Sequence, residues 1–413
     1  MRRVVVTGLG CISPVGNDIA TFWDSLVAGK HGFAEITKFD VIEMKAKIAA
    51  EVKDFDPTKY IERSEVKRTE LYCQYAIAAA QEAMDDSGLS GTVDAERFGV
   101  YVGSGIGGLG TMLAQTEIMF NRGPERLSPF LIPMMIANMA SGLVAMRFNA
   151  RGPNLPVISA CATATHAIGE AFRAIKHGYA DAILTGGSEA SINKLGIGAF
   201  TTAMALSTAT DPNRASIPFD RERNGFIMGE GAGVLVLEEY DRAVARGAKI
   251  YCEIIGYGNT CDAHHITAPR EDASETSRMI RQAFEEAGIA PDHRLYINAH
   301  GTSTPPNDKA ETLAIKKALG EEIAYKIPVS STKSMTGHML GAAGAIEAIA
   351  SIKAIETGIV PPTVGYSVPD PDCDLDYVPN QARKCNIDKA LSLSLGFGGH
   401  NAGVLFRAID KSN

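Results

Sequence analysis

Short, nearly unbroken apolar runs, each closed by Gly or Ser, alternate along this chain with Ala-rich stretches whose apolar positions repeat at helical spacing. The runs predict strands at residues 3–7, 99–103, 157–159, 182–185, 233–238, 250–257, 295–299, 328–331, 390–395 and 403–407. The stretches predict helices at 19–28, 70–87, 162–177, 275–287, 309–319 and 341–357. Such alternation predicts an α/β protein with mixed sheets between helix layers. The two halves look alike in plan without visible sequence repetition, and a change of rhythm near 245–250 divides them into residues 1–248 and 249–413. Residues 104–155 and 191–230 show fewer clear elements and many Gly, Pro and Met residues, which predicts insertions that cover a site.

Composition narrows this picture. With 413 residues, 45% hydrophobic and 21% charged, the chain can bury a large core. A formal net charge of -8 argues against a nucleic-acid binder but leaves room for a local basic patch. Seven cysteines, an odd number without a CxxC pair, read as reduced thiols of a cytoplasmic protein. Residues 1–8 enter a strand directly, without the apolar stretch of a leader, and no run has membrane-spanning length.

The chemistry gathers at strand exits. Cys161 lies in Ser159-Ala160-Cys161-Ala162-Thr163, where an apolar run meets a helix. Helix N-terminal amides favour a thiolate there, and a turn of small residues leaves the sulfur reachable. His300 follows another apolar run, at a position where ligands sit in open α/β sheets. His338 stands at the start of a long Ala/Ile helix, whose dipole favours the neutral imidazole, and Lys333 precedes it in the turn. The run Gly396-Phe397-Gly398-Gly399 offers backbone amides suited to an oxyanion hole. A nucleophilic thiolate, two imidazoles and a donor-rich loop form a set suited to acyl transfer. No HxxxH or CxxC spacing occurs, and the adjacent His264 and His265 could not both face one ion from a strand, so no metal site is expected. Gly103-Ser104-Gly105-Ile106-Gly107-Gly108 matches the dinucleotide fingerprint, but the acidic strand end expected about 20 residues later is missing.

Taken in order, the motifs Gly103-Ser104-Gly105-Ile106-Gly107, Ala160-Cys161-Ala162-Thr163, the run from Gly225 to Gly233, Ala299-His300-Gly301-Thr302-Ser303-Thr304, the run from Lys333 to His338, and the run from Gly396 to Gly399 have a familiar spacing. The chain resembles, over essentially its whole length, the bacterial β-ketoacyl-[acyl-carrier-protein] synthases of type II, condensing enzymes of the thiolase-like superfamily. That resemblance implies duplicated α/β layers (αβαβα) and a decarboxylative Claisen condensation in fatty acid elongation. It implies that Cys161 carries the acyl group, that His300 and His338 promote decarboxylation of malonyl-acyl carrier protein, and that Lys333 and Glu347 support them. It further implies an oxyanion hole from the amides of Cys161 and Phe397, with Phe397 also gating access. Thr302 and Thr304 would bind the phosphopantetheine arm, and Ile106 and Phe200 would line the acyl pocket. No cofactor is required, and a homodimer is implied.

The chain departs from its relatives at Pro305-Pro306-Asn307, at Thr165-His166-Ala167, and at Leu393, where an Asn is common. Leu393 weakens the expectation of a structural Na⁺ or K⁺ near Asn298, Glu347 and Ser392. An acidic carrier protein calls for a basic surface, for which Arg63, Lys67, Arg68, Arg122, Arg126 and Arg270 are candidates. Among rival readings, a CoA-dependent thiolase would need a second Cys where Phe397 stands. An initiating synthase would have Asn in place of His338, and a non-catalytic chain-length subunit would lack Cys161. A ketosynthase of a type II polyketide pathway fits the same residues.

Overall fold

The computed structural model describes residues 1–409; the last four residues of the second sequence half lie outside them. Nine strands form one mixed sheet: β1 (Val4–Ile12), β2 (Phe98–Gly103), β3 (Ala182–Glu189), β4 (Gly231–Glu239), β5 (Cys252–Cys261), β6 (Leu295–Asn298), β7 (Val329–Ser330), β8 (Lys389–Gly396) and β9 (His400–Arg407). Their spatial order is β2-β3-β4-β1-β5-β9-β8-β6-β7. The first four strands and the last five meet where Val4–Val6 of β1 pair antiparallel with Cys252–Ile254 of β5.

Within each set the connections repeat. β1 is antiparallel to β4, β4 is antiparallel to β3, and β3 is parallel to β2. β5 is likewise antiparallel to β9, β9 is antiparallel to β8, and β8 is parallel to β6.

The helices explain the layering. Helices α1 (Leu71–Ser87), α2 (Leu109–Arg122), α3 (Thr163–Lys176), α4 (Lys194–Thr202), α5 (Ser274–Ala287), α6 (Pro305–Leu319) and α7 (Ala343–Thr357) are the longer ones used below. α7 is apolar around nearly its whole circumference and α3 is buried almost to its end, as central-layer helices must be. Both touch strands of the two sets, whereas α1 packs on the first set and α5 on the second, which gives αβαβα layering. Close approach is built in twice with glycine. A Cβ on Gly8 or Gly10 of β1 would lie 2.2 or 2.0 Å from a carbonyl oxygen of α1. One on Gly256 or Gly258 of β5 would lie 1.9 Å from a carbonyl oxygen of α5.

Three local expectations change. Residues 157–159 form no strand; the segment meets the sheet edge through the Gly152 N–H to Phe98 O bond and the bridge of Asn154 to Val100, and Pro153 and Pro156 remove two of its N–H donors. α6 starts at Pro305, because its first two positions need no N–H and accept proline. The 104–155 segment holds α2 and further helices at Leu131–Met135 and Met139–Phe148. No residue of α2 is buried, so it has no core-facing stripe for a periodicity argument to find.

Candidate active site

Cys161 is the second residue of a single 3₁₀ turn, Ala160–Ala162, that feeds α3. Ala160 sits in the left-handed region with φ 52°, a strained conformation for a residue with a Cβ. Local bonds hold it there. The Ser159 N–H donates to Thr163 Oγ1 at 2.9 Å and the Ala162 N–H donates to the Ser159 carbonyl at 3.1 Å. One turn further on, His166 Nδ1 accepts from the Ser159 hydroxyl (2.6 Å), while its Nε2–H donates to Asn259 Oδ1 (3.1 Å). Burial lowers His166 to about 4, which fits this neutral tautomer.

The glycine hairpin between β8 and β9 closes on this turn. A Cβ on Gly396 would stand 2.6 Å from the Ser159 carbonyl, so only glycine brings β8 this near. The Phe397 N–H then points at the Cys161 sulfur. Apart from that sulfur, the backbone N–H groups of Cys161 and Phe397 find no acceptor among the described residues. The hairpin tip is tied down by Gly398 N–H to Ile266 O (2.8 Å), Asp262 N–H to Gly399 O (2.8 Å) and Asn401 Nδ2 to Asp262 Oδ1 (2.7 Å).

Burial opposes the thiolate that the helix start favours. Cys161 is 8% exposed, and burial pushes its thiol up to about 12. The Lys333 charge and the Phe397 amide act in the other direction, while Glu189 and Glu347 add to the rise. A helix N-terminus and one lysine do not outweigh desolvation of a thiolate in this apolar setting.

The two histidines arrive from the second strand set. His300 follows β6, and its own N–H and that of Gly301 donate to the Glu311 carboxylate at 2.7 and 2.8 Å. Lys333 Nζ lies 3.3 Å from His300 Nδ1, so that nitrogen accepts and the proton resides on Nε2. His338 meets His300 edge-to-face, with ring centroids 5.3 Å apart. Burial holds both imidazoles well below their usual range, and Lys333 adds to this at each. A neutral His338 was expected from the helix dipole; the dominant cause at both imidazoles is desolvation. Lys333 is itself buried and pairs with Glu347, whose carboxyl burial raises to about 7 against the pull of Lys333.

Cys161, His300, His338, Phe397, Thr302 and Thr304 share one cleft of about 240 Å³. The Thr302 and Thr304 hydroxyls hydrogen-bond each other at 2.9 Å. Phe200 also lines the cleft and links two aromatics, with centroids 6.3 Å from Phe397 and 5.7 Å from Phe226. Phe226 in turn packs on His338 at 4.9 Å. Glu347 lies behind Lys333 and not in the cleft wall. Ile106 stands outside the wall, 37% exposed in the loop after β2.

Of the basic residues, Arg63, Lys67, Arg68, Arg122 and Arg126 are exposed. Arg63 opens a one-turn helix, Arg63–Val66, that ends before Lys67. The Arg68 guanidinium sits 5.0 Å from the Phe130 ring, joining that segment to the loop after α2. Arg270 is paired with Asp272 at 3.0 and 2.9 Å.

Sequence reasoning missed Glu189, Glu311 and Phe226. Glu189 Oε2 accepts from the N–H groups of Gly105 (2.9 Å) and Gly341 (3.1 Å), and Ser104 Oγ donates to Oε1 (3.0 Å). Its position at the end of an apolar strand, after Gly186 and Gly187, was the available signal. Three buried oxygens, Asn298 Oδ1, Glu347 Oε2 and Ser392 Oγ, have no hydrogen-bond partner among the described residues. Asn298 and Ser392 are register partners on β6 and β8.

A fold of five layers with a cysteine and two histidines at one cleft defines the condensing-enzyme class. Residues 1–243 match the family described as β-ketoacyl synthase, N-terminal domain, and residues 251–367 match β-ketoacyl synthase, C-terminal domain. The chain belongs to the β-ketoacyl synthase family. It is 52% identical to the 3-oxoacyl-[acyl-carrier-protein] synthase 2 of Synechocystis sp., over 98% of both chains. It is 48% identical to the protein of that name from Coxiella burnetii, over 99% of both. Among solved structures, it is similar to a type II PKS ketosynthase bound to a hexaketide and in complex with its acyl-carrier protein. That match has a TM-score of 0.91 and 37% identity, covering 99% of this chain and 100% of the other. A β-ketoacyl synthase from Burkholderia phymatum superposes with a TM-score of 0.92 at 32% identity, covering 99% and 100%.

Proposed function

We infer that this protein is a 3-oxoacyl-[acyl-carrier-protein] synthase that elongates fatty acids. The observation that carries the reading is the junction at one cleft of a buried thiol, two neutral imidazoles, and the backbone N–H groups of Cys161 and Phe397, which no other acceptor claims among the described residues. In the first half-reaction the Cys161 sulfur attacks the carbonyl of an acyl-carrier thioester. The sulfur–carbon bond forms, the thiol proton leaves, and the carrier thiol departs. Because burial favours the neutral thiol, its proton moves during attack, and His338, the imidazole not tied to Lys333, is the base at hand. The oxyanion of the tetrahedral intermediate receives the amides of Cys161 and Phe397.

In the second half-reaction malonyl-carrier loses CO₂, and the electron pair of the broken C–C bond passes to its thioester oxygen as an enolate. An Nε2–H of His300, fixed by Lys333 on the opposite nitrogen, is suited to donate to that oxygen. The enolate carbon attacks the acyl-enzyme, Cys161 leaves as the sulfur nucleofuge, and a 3-oxoacyl carrier two carbons longer is released. The relatives at 48–52% identity support fatty-acid elongation over the polyketide reading, whose named examples stand at 37%.

An acyl carrier protein is the partner, and the ketosynthase solved with its own carrier supports this. Arg63, Lys67, Arg68, Arg122 and Arg126 are the docking surface we assign to it; the pairing of Arg270 with Asp272 leaves that residue less charge to offer. The protein works as a homodimer in the cytoplasm. The edge strand β2 and the exposed apolar side chains Phe120, Ile132, Met146, Leu155 and Ile158 support a dimer, and no described helix is long and apolar enough to cross a membrane. The unpartnered oxygens of Asn298, Glu347 and Ser392 fit a Na⁺ or K⁺, which would brace β6 and β8 behind the histidines.

Intact-mass measurement after mixing with acyl-carrier protein tests the central claim. One acyl adduct on Cys161, and its turnover on addition of malonyl-carrier, are expected. An adduct on another cysteine refutes the assignment.

A further inference from the structure

Helix α6 aims its first turn at the cleft. Pro305 and Pro306 occupy its first two positions, so two of the free N–H groups usual at a helix start are absent. The Asp308 N–H is used by the Thr304 carbonyl at 3.2 Å. Asn307 therefore supplies the one open amide of this turn, and it lines the cleft beside both prolines.

The side chain of Asn307 is only 8% exposed. Its Nδ2 donates to Asp308 Oδ1 at 3.0 Å. The other Asp308 oxygen is held by the Phe219 N–H at 2.8 Å and faces the Arg223 guanidinium at 3.5 Å. A buried carboxylate in that place fixes which way the amide lies, with NH₂ toward Asp308 and Oδ1 away from it. Neither Asn307 Oδ1 nor its backbone N–H has a partner among the described residues, and Oδ1 is not sealed from the cleft. One residue thus offers an acceptor and a donor side by side.

A secondary amide needs that pair, one acceptor for its N–H and one donor for its C=O. Thr302 is buried, Thr304 is part-exposed, and Pro305 and Pro306 are exposed, so this wall of the cleft opens to solvent at the prolines that flank Asn307, beyond the threonine pair. We propose that Asn307 binds the phosphopantetheine arm at the amide farther from the thioester. This makes it a specificity-determining residue for the length of the arm, and the proposal rests on the condensing reading above.

The test compares one acyl group carried on pantetheine, which has both amides, and on N-acetylcysteamine, which has only the inner one. The readout is the rate constant for acylation of Cys161. In Asn307→Ala the preference of the wild type for pantetheine falls about fivefold, the worth of one neutral hydrogen bond, while the N-acetylcysteamine rate holds. An unchanged ratio, or an equal fall with both thioesters, overturns the proposal and leaves Asn307 a helix-stabilising residue. With the wild type alone, replacing the outer amide by an ester costs a similar factor; no loss there also overturns it. Failure of the wild type to acylate Cys161 with either thioester would instead refute the condensing reading itself.

Discussion

The two halves of this molecule contain the same corner and use it differently. In the first half a 3₁₀ turn, Ala160–Ala162, feeds α3; in the second, Leu340–Ala342 feeds α7. Each opens with a residue in the left-handed region, Ala160 at φ 52° and Leu340 at φ 47°. Each packs against the end of a strand from the other half, Gly396 of β8 or Gly187 of β3. The middle residue is Cys161 in one and Gly341 in the other. Around Cys161 the neighbouring loop brings an N–H, from Phe397, and the amide of the cysteine stays free. Around Gly341 the neighbouring strand brings a carboxylate, Glu189, which consumes the amide. The backbone corner alone therefore does not make a reactive site; what decides is whether the facing strand end donates or accepts.

Replacing Cys161 by glycine makes the first corner like the second, and condensation falls by at least about 10³-fold in a carrier-based elongation assay. His300→Ala and His338→Ala lower CO₂ release from malonyl-carrier by about 10²–10³-fold. His300→Ala still forms the acyl adduct on Cys161 at close to the wild-type rate, whereas His338→Ala forms it more slowly for want of a base, which separates the roles of the two imidazoles. Gly341→Ala puts a Cβ 2.3 Å from the Gly105 nitrogen, a backbone atom that must move. Its urea midpoint drops, with a loss of about 1–3 kcal/mol.

Glu189 gives the comparison a pH dependence. Burial raises its carboxyl to about 7, above the 4.5 of an unfolded glutamate. The folded protein keeps that proton over a range where the unfolded chain has lost it, so this group favours folding below about 4.5 and loses that contribution as pH rises to about 7. In Glu189→Gln, stability loses this part of its slope, and the gap to wild type in urea melts narrows from pH 5 to pH 8. The smallest effect belongs to the surface. Arg63→Ala with Lys67→Ala raises KM for carrier substrates a few-fold, more at low salt, with kcat unchanged.

The parts legible in the sequence were those governed by local chemistry. Apolar runs marked most strands, and a cysteine and two histidines beside small residues marked the cleft. Glu189 and Glu311 were missed because an acidic residue in a sequence reads as surface, and only the position of Glu189 at an apolar strand end marked it; the fold supplies the amides that make their burial tolerable. The duplication showed as a shared plan but not as repeated sequence, because it rests on backbone features such as the spacing of Gly8 and Gly10 against Gly256 and Gly258 and not on shared side chains. The burial that opposes a thiolate at Cys161 was not legible because the helix dipole acts locally, whereas the apolar residues clustered with the sulfur, among them Ile192, Ile197, Phe226 and Leu340, come from distant segments.

That sheltered sulfhydryl has a consequence for the life of the protein in the cell. Hydrogen peroxide and small electrophilic toxicants consume sulfur anions, and a protonated group in an oily recess gives them little to react with. An inhibitor of this cysteine would therefore gain most by arriving as a substrate does, with a greasy tail that the recess admits.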